Sequence, residues 1–447
     1  MSPLLVRKLL LPAHELLLGR RTLRYLRELE ASQRLPIDRL RTIQVEKLRA
    51  LLTHAARNCP YYRDAIHAAG VQPQNATLHD LTRLPTLTKN DIRRHAQRLL
   101  ESPRRRRLAP YCTGGSSGDP LQFWIDRDRQ AADQAARARS RRWFGIDLGE
   151  REAYLWGAPV ELAAQDRLKR VRDRLTNQLL LDAFRMTLDG MTDYLRRIRR
   201  FDPVHLFGYP SSLARLARHA CDAGWRLQTP SLKAVFVTGE LLLPEDRAAI
   251  EAAAQVPVAD GYGSREAGFI AHQCRAGRYH VTMESLIVEL LGDDLNPVSD
   301  GQSGEVTITH LDALGMPFIR YRTGDFARRA SGACPCGREL ESLERIEGRR
   351  TDMLRTADGG YAHALSVIYA LRDVPAIRHF RVEQRENLDL AVQIIADDSL
   401  DEARRALVTR HLRNRIGEGP RIELRVVDEI PQLPSGKHRC VVSAAAE

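Results

Sequence analysis

Four short stretches carry side chains whose types and spacing can do chemistry. Thr113, Gly114, Gly115, Ser116, Ser117 and Gly118, followed by Asp119 and Pro120, form a loop of glycines and hydroxyls. Backbone N–H groups reach phosphate oxygens where no Cβ intervenes, and hydroxyls add donors. The Gly-Lys-Ser/Thr ending of a Walker A loop is absent, and a plain turn is the alternative. Tyr262, Gly263, Ser264, Arg265 and Glu266 follow a predicted strand. An aromatic there can stack on a base and a carboxylate can hold Mg2+; the alternative is a helix opened by Ser264 as its N-cap. In Tyr321-Arg322-Thr323-Gly324-Asp325, Asp325 can bond two ribose hydroxyls or can pair with Arg320 or Arg322. Pro434-Ser435-Gly436-Lys437 puts a lysine on a Pro/Gly turn, able to neutralise charge developing on a phosphate. The chain has only six lysines beside 63 arginines, so a lysine inside a motif is chemically pointed.

A fifth set is metal-like. Cys334 and Cys336 form a tight thiolate pair, with Cys274 and His280 upstream. Three cysteines and a histidine make a closed tetrahedral zinc set, structural rather than catalytic, with His272 as substitute ligand. A disulfide between Cys334 and Cys336 would be strained.

These residues need elements to position them. Helical periodicity runs over residues 3–35 and 37–57. Short apolar runs at 153–156, 204–207, 234–237 and 256–259 predict strands, with helices at 211–223 and 244–254 between them. Alternation of this kind predicts an α/β fold, a largely parallel sheet covered by helices. Runs at 286–291 and 305–310 predict a small β-region, stapled by the zinc set over about 270–340. Strands at 389–395 and 421–427 with a helix at 400–415 predict a small α+β C-terminal domain, 348–447, beside a large N-terminal α/β domain, 1–347.

In order and spacing, the stretches at 113–120, 262–266, 321–325, 348–352 and 434–437 resemble the adenylate-forming superfamily of AMP-producing acyl ligases. Within it, the chain looks most like the phenylacetate–CoA ligase/CapK-like branch. Asn58-Cys59-Pro60-Tyr61-Tyr62-Arg63, Leu84-Pro85-Thr86-Leu87-Thr88-Lys89, Phe207-Gly208-Tyr209-Pro210-Ser211-Ser212 and Gly315-Met316-Pro317-Phe318-Ile319-Arg320-Tyr321-Arg322-Thr323-Gly324-Asp325 carry that likeness. The resemblance implies a ligase that makes acyl-AMP from a carboxylic acid and MgATP, then passes the acyl group to CoA or to an amine, hydroxyl or carrier protein. It implies that the 113–118 loop closes on the ATP phosphates and that Gly239 and Glu240 border the adenine. Tyr262 would stack on the adenine, Gly263 and Ser264 would belong to the same nucleotide-binding set, Glu266 would bind Mg2+ and Asp325 would hold the ribose. Lys437 would contact the carboxylate and α-phosphate. Gly208, Tyr209, Pro210, Ser211 and Gly261 would line the acyl pocket, and Arg349 would lie in a Gly-Arg hinge between a fixed and a mobile domain. Asp119 stands where relatives usually carry Lys or Arg, and Thr351 where the hinge is usually acidic; these departures imply weaker ATP binding or a degenerate ligase.

Composition bounds the alternatives. The 447 residues, 43% hydrophobic and 28% charged, exclude disorder and a disulfide miniprotein. Seven cysteines and no clean signal peptide imply the cytoplasm. A net charge of +12 permits a basic, zinc-containing nucleic-acid or membrane-surface protein. No nucleic-acid motif supports the first, and no nucleic-acid partner is expected. The run 104–107 reads as a solvated basic loop. The N-terminal helical segment either packs on its own domain or makes a peripheral contact with an anionic membrane. Monomer and homodimer are both compatible.

Overall fold

The backbone of the molecule is one large mixed sheet. The computed structural model describes residues 1–100, 108–113, 121–157, 173, 175–183, 186–349, 353–357, 361–363, 367, 371, 374, 377–396, 400–430 and 440–444. The loop glycines and serines 114–118 with Asp119 and Pro120, the hinge residues Arg350, Thr351 and Asp352, and Lys437 lie outside the described residues. The chain divides into two compact units: Met1–Thr323 with Ala327–Ile346, and Gly324–Phe326 with Glu347–Glu447.

Strands β1 (Ala109–Cys112) and β2 (Gln122–Ile125) pair antiparallel. Then β3 (Glu152–Trp156), β4 (Gln178–Asp182), β5 (His205–Gly208), β6 (Ala234–Thr238) and β7 (Val258–Ser264) lie parallel. The sheet continues through β8 (Gly268–Gln273), β9 (Tyr279–Val281), β10 (Leu286–Leu291), β11 (Ser303–His310), β12 (Tyr321–Arg329) and β13 (Ser342–Arg349). Its order is β10-β11-β12-β13-β9-β8-β7-β6-β5-β3-β4. The predicted β-region is therefore no sheet of its own: its strands extend the parallel sheet through the antiparallel pairs β7–β8, β8–β9 and β9–β13.

Strands β5 and β6 are buried along their full length, so both faces must be covered. Alternate residues go to opposite layers. Phe207 and Phe236 join a core with the helices Ile37–Asn58 and Pro60–Ala68. Leu206, Val235 and Val237 join a second core with the helices Leu188–Phe201, Pro210–Asp222 and Pro244–Ala254. Each such buried aliphatic side chain contributes about 1.5–3 kcal/mol.

The second unit holds β14 (Met353–Arg355), β15 (Tyr361–His363), β16 (Ile377–Gln384), β17 (Leu390–Ala396), β18 (Ile422–Val426) and β19 (Val441–Ser443). A four-stranded sheet, β18-β17-β16-β19, packs the helix Glu402–Ile416 on a core of Val382, Val392, Ile394, Val408 and Leu412.

At the N-terminus the expected continuous helix over 3–35 is broken. Leu11–Leu18 ends at Gly19, whose φ of 61° reverses the chain before Thr22–Ser32 begins. Among the described residues no helix is long and apolar enough to cross a membrane.

Asp260, in the middle of β7, is buried and accepts the Tyr279 hydroxyl at 2.7 Å. Burial pushes its carboxyl from 3.8 up to about 6. Between pH 3.8 and 6 the unfolded chain has released this proton and the folded chain retains it. Stability therefore falls as pH rises through that window and levels off above it. Asp260→Asn is expected to stabilise the protein near neutral pH by up to roughly 3 kcal/mol, with the gain vanishing below about pH 4. Denaturant midpoints across pH check this; a destabilised variant at neutral pH contradicts it.

Candidate functional site

The carboxyl ends of β5, β6 and β7 bring three of the sequence-predicted stretches side by side, where open α/β sheets bind ligands. β5 ends at Gly208, where a Cβ would meet the Leu155 carbonyl oxygen at 2.6 Å, so only glycine fits. Tyr209 then stacks on Trp156, ring centroids 4.2 Å apart, and Pro210 opens the next helix. β6 ends at Thr238, whose hydroxyl donates to the Gly261 carbonyl at 2.5 Å. Gly239 follows against the Tyr209 ring. Glu240 accepts the Ser211 N–H at 3.2 Å, so the residue read as an adenine border also caps the helix that carries Ser211. Gly261 faces the ring of His272, which burial holds neutral, at about 3. His272 thus packs at Gly261 and is no part of the Cys/His cluster.

Tyr262, Gly263 and Ser264 are on the strand itself, with a bulge between Tyr262 and Gly263. The chain then turns straight back into β8, so no helix opens at Ser264. The Ser264 hydroxyl accepts the Ala267 N–H at 3.0 Å and closes a hairpin turn instead. A Cβ on Gly263 would overlap the Gly268 carbonyl.

Glu266 sits at the tip of this hairpin and is only 6% exposed. A buried carboxylate needs partners. Lys89 Nζ lies 3.6 Å from its Oε1, and the Tyr321 hydroxyl donates to the same oxygen at 3.4 Å. Arg129, fully buried and flanked by the rings of Phe123 and Phe318, donates to the backbone carbonyls of Arg265 and Glu266 at 2.9 and 2.5 Å. Arg265 reaches back to the Cys112 carbonyl at 2.9 Å. There Thr113 closes the base of the glycine/hydroxyl loop, its N–H to Leu121 O at 3.0 Å and its hydroxyl accepting the Leu121 N–H at 2.9 Å. The first two predicted stretches are thereby tied together.

Sequence reasoning missed what holds this arrangement. Lys89 is the first residue of the helix Lys89–Leu99, capped by reciprocal bonds between Thr88 and Asp91. A helix N-terminus disfavours a cation by its dipole, so Lys89 stands there against propensity and beside Glu266. The sequence offers only its scarcity as a signal, which it shares with five other lysines. Leu87 bridges Tyr321 through Leu87 N–H to Arg320 O at 2.8 Å and Arg322 N–H to Leu87 O at 2.9 Å. Tyr62 donates to Pro317 O at 2.9 Å and accepts the Ile319 N–H at 3.1 Å. Asp126 accepts the Leu314 and Gly315 N–H groups at 2.9 and 2.8 Å. The stretches 58–63, 84–89 and 315–325 thus converge.

Arg320 and Arg322 do not pair with Asp325. Arg320 pairs with Glu289 at 3.0 Å and Arg322 with Glu305. In the second unit, Asp325 follows Gly324 (φ 78°) and pairs with Arg349 Nε at 3.3 Å. The ribose and hinge candidates are therefore partners.

The donor atoms of Cys274, His280, Cys334 and Cys336 lie within 4.8 Å of one another. Cys274 Sγ is 3.7 Å from Cys334 Sγ, and Cys336 Sγ is 3.2 Å from His280 Nε2. Zn–S bonds of about 2.3 Å in a tetrahedron set sulfurs about 3.8 Å apart, so the set fits the ion. His280 Nδ1 faces the Leu340 carbonyl at 3.4 Å, the usual orienting contact of a ligating imidazole. Burial holds His280 neutral, at about 4, and pushes the Cys334 thiol up to about 12.

Comparison with known proteins adds the kinship. The CapK C-terminal domain family matches residues 354–444. Protein CapK of Staphylococcus aureus is 21% identical over 90% of this chain and 88% of its own. A phenylacetate–coenzyme A ligase of Thermus thermophilus is 25% identical over 91% of this chain and 97% of its own. Among solved structures, 2-hydroxyisobutyryl-CoA ligase in the postadenylation state with 2-HIB-AMP superposes with a TM-score of 0.74, at 21% identity, over 92% of this chain and 91% of that one. This is the adenylate-forming fold, and its similar sequences are CapK and phenylacetate–CoA ligases. ATP-bound MatB from Rhodopseudomonas palustris shares it more distantly, with a TM-score of 0.54 at 14% identity over 75% of this chain and 66% of that one.

Tyr62→Phe removes one donor and one acceptor from the segment that leads to Tyr321. It is expected to cost about 1–3 kcal/mol in denaturant unfolding. A silent substitution would mean that the segment is not held from Tyr62.

Proposed function

We propose that the chain is an AMP-forming ligase that activates a carboxylic acid with MgATP to acyl-AMP and passes the acyl group to CoA. The observation that carries this is the buried Glu266 at the carboxyl end of the parallel sheet, tied through Arg265 to the base of the loop that begins at Thr113. In this reading the 113–118 loop covers the β,γ-phosphates, Gly239 and Glu240 border the adenine, and Tyr262 stacks on it. Asp325, oriented by Arg349, holds the ribose hydroxyls. Gly208, Tyr209, Pro210, Ser211 and Gly261 line the acyl pocket. Lys437, a role supported by its sequence motif alone, neutralises charge where the carboxylate attacks the α-phosphate. Glu266 offers one carboxylate, which suits a Mg2+ that keeps most of its other ligands as waters and phosphate oxygens. When bound, that ion supplies positive charge against the phosphates. The match of residues 354–444 to the CapK C-terminal domain favours a second reading of the last step, in which an amine, hydroxyl or carrier-protein thiol replaces CoA.

Carboxylate-dependent ATP–pyrophosphate exchange tests the first step, with aryl, arylacetic, fatty and hydroxy acids. Exchange with one acid class is expected, falling by about 10²–10³-fold in Lys437→Ala. Adding CoA is expected to yield the thioester; exchange without thioester selects the other acceptors. Failure of ATP to bind would overturn the assignment.

We propose further that Cys274, His280, Cys334 and Cys336 hold a structural zinc that fastens β8 and β9 to the turn before β13. Metal analysis of the purified protein is expected to find about one zinc per chain. Cys334→Ser should lose that zinc and unfold at a lower temperature. Metal-free protein with normal stability would contradict the staple.

A further inference from the structure

We propose that the N-terminal segment is a docking surface for an anionic lipid membrane. Residues 1–18 supply seven of the twelve large hydrophobic side chains left exposed among the described residues: Met1, Leu4, Leu5, Leu9, Leu16, Leu17 and Leu18. Leu16 and Leu17 are 82% and 85% exposed, and the helix Leu11–Leu18 buries no residue. Exposed leucines gathered in one short segment, rather than scattered singly over the fold, mark an interaction site.

The segment is not loose. Val6 is fully buried, and a Cβ on Gly149 would touch Val6 and the Pro3 carbonyl. Arg7 pairs with Asp147. The N-terminal ammonium donates to Asn177 Oδ1 at 3.1 Å, and Asn177 Nδ2 returns a bond to Met1 O at 3.1 Å. Val6, Arg7 and Met1 thus fasten the segment to the fold while its leucines stay exposed.

Charge selects the partner. Residues 1–30 carry six basic side chains against Glu15, Glu28 and Glu30. Arg7, Arg20, Arg21 and Arg24 pair with Asp147, Glu15, Asp128 and Glu28, while Lys8 and Arg27 are exposed with no carboxylate partner among the described residues. Exposed Arg127 lies against Gly19, at the end of the leucine-rich turn. Leucines flanked by cations match an anionic bilayer interface: the apolar side chains enter the acyl boundary while the cations stay among the headgroups. An apolar protein groove would need no exposed cations such as Lys8 and Arg27 beside the leucines.

Vesicle flotation of the full chain tests this, using phosphatidylcholine alone and phosphatidylcholine mixed with phosphatidylglycerol. The wild-type protein is expected to float with the mixed vesicles, weakly with phosphatidylcholine alone, and less as salt rises. Leu16→Glu combined with Leu17→Glu should lower binding by about ten-fold or more with an unchanged unfolding temperature, because both side chains already face solvent. Lys8→Glu combined with Arg27→Glu should weaken binding to the mixed vesicles alone. Failure to float with any vesicle, or flotation unaffected by the leucine substitutions, overturns the proposal. A concentration-dependent dimer abolished by those substitutions overturns it too, and makes the face a contact between copies.

Discussion

A buried carboxylate is expensive unless charge and hydrogen bonds surround it, and Glu266 is one. Much of the first unit can be read as the answer to that constraint. The Lys89 ammonium comes from a helix start near residue 88, the Tyr321 hydroxyl from the beginning of β12, and the Arg129 guanidinium from the helix Arg127–Arg142. Three segments far apart in sequence meet at one hairpin tip. A carboxylate held this way has a defined direction, which a charged ligand group requires.

The supporting layer has the same logic. Tyr62, Leu87 and Asp126 each bond the backbone between residues 314 and 322, so this irregular stretch has partners for its polar groups. Arg320 adopts φ 51°, a conformation that costs a non-glycine residue energy. Its guanidinium answers with bonds to Glu289, Thr82 O and Leu84 O. These contacts are how the stretches at 58–63, 84–89 and 315–322 meet in the fold.

Much of the fold was legible. Strands β3, β5 and β6 and the helices Pro210–Asp222 and Pro244–Ala254 were visible as apolar runs and periodicities, because strands buried on both faces leave a continuous signal. The extent of β7 was not, because Gly261 and Gly263 interrupt the pattern with residues of low strand propensity. β12 was hidden in the same way by Gly324. The union of the antiparallel strands with the parallel sheet depends on pairings between distant segments, which local patterning does not record. In the site, the four residues of the metal-like quartet could be grouped from residue type, and the fold brings them together. Lys89 and Arg129 could not be placed, since their roles arise only where separate elements meet. Scarcity alone would not have sorted the lysines either: Lys47 serves Asp312 and the Glu284 carbonyl, and Lys233 the Gly145 carbonyl.

We propose Glu266 as the metal-facing carboxylate of a nucleotide site. Calorimetric titration of ATP with and without Mg2+, on the wild-type protein and on Glu266→Gln, tests it most directly. The account predicts that Mg2+ strengthens ATP binding to the wild type by roughly ten-fold or more, about 1.4 kcal/mol, and that the variant loses this gain while still binding ATP without the ion. An unchanged Mg2+ dependence in the variant would contradict it.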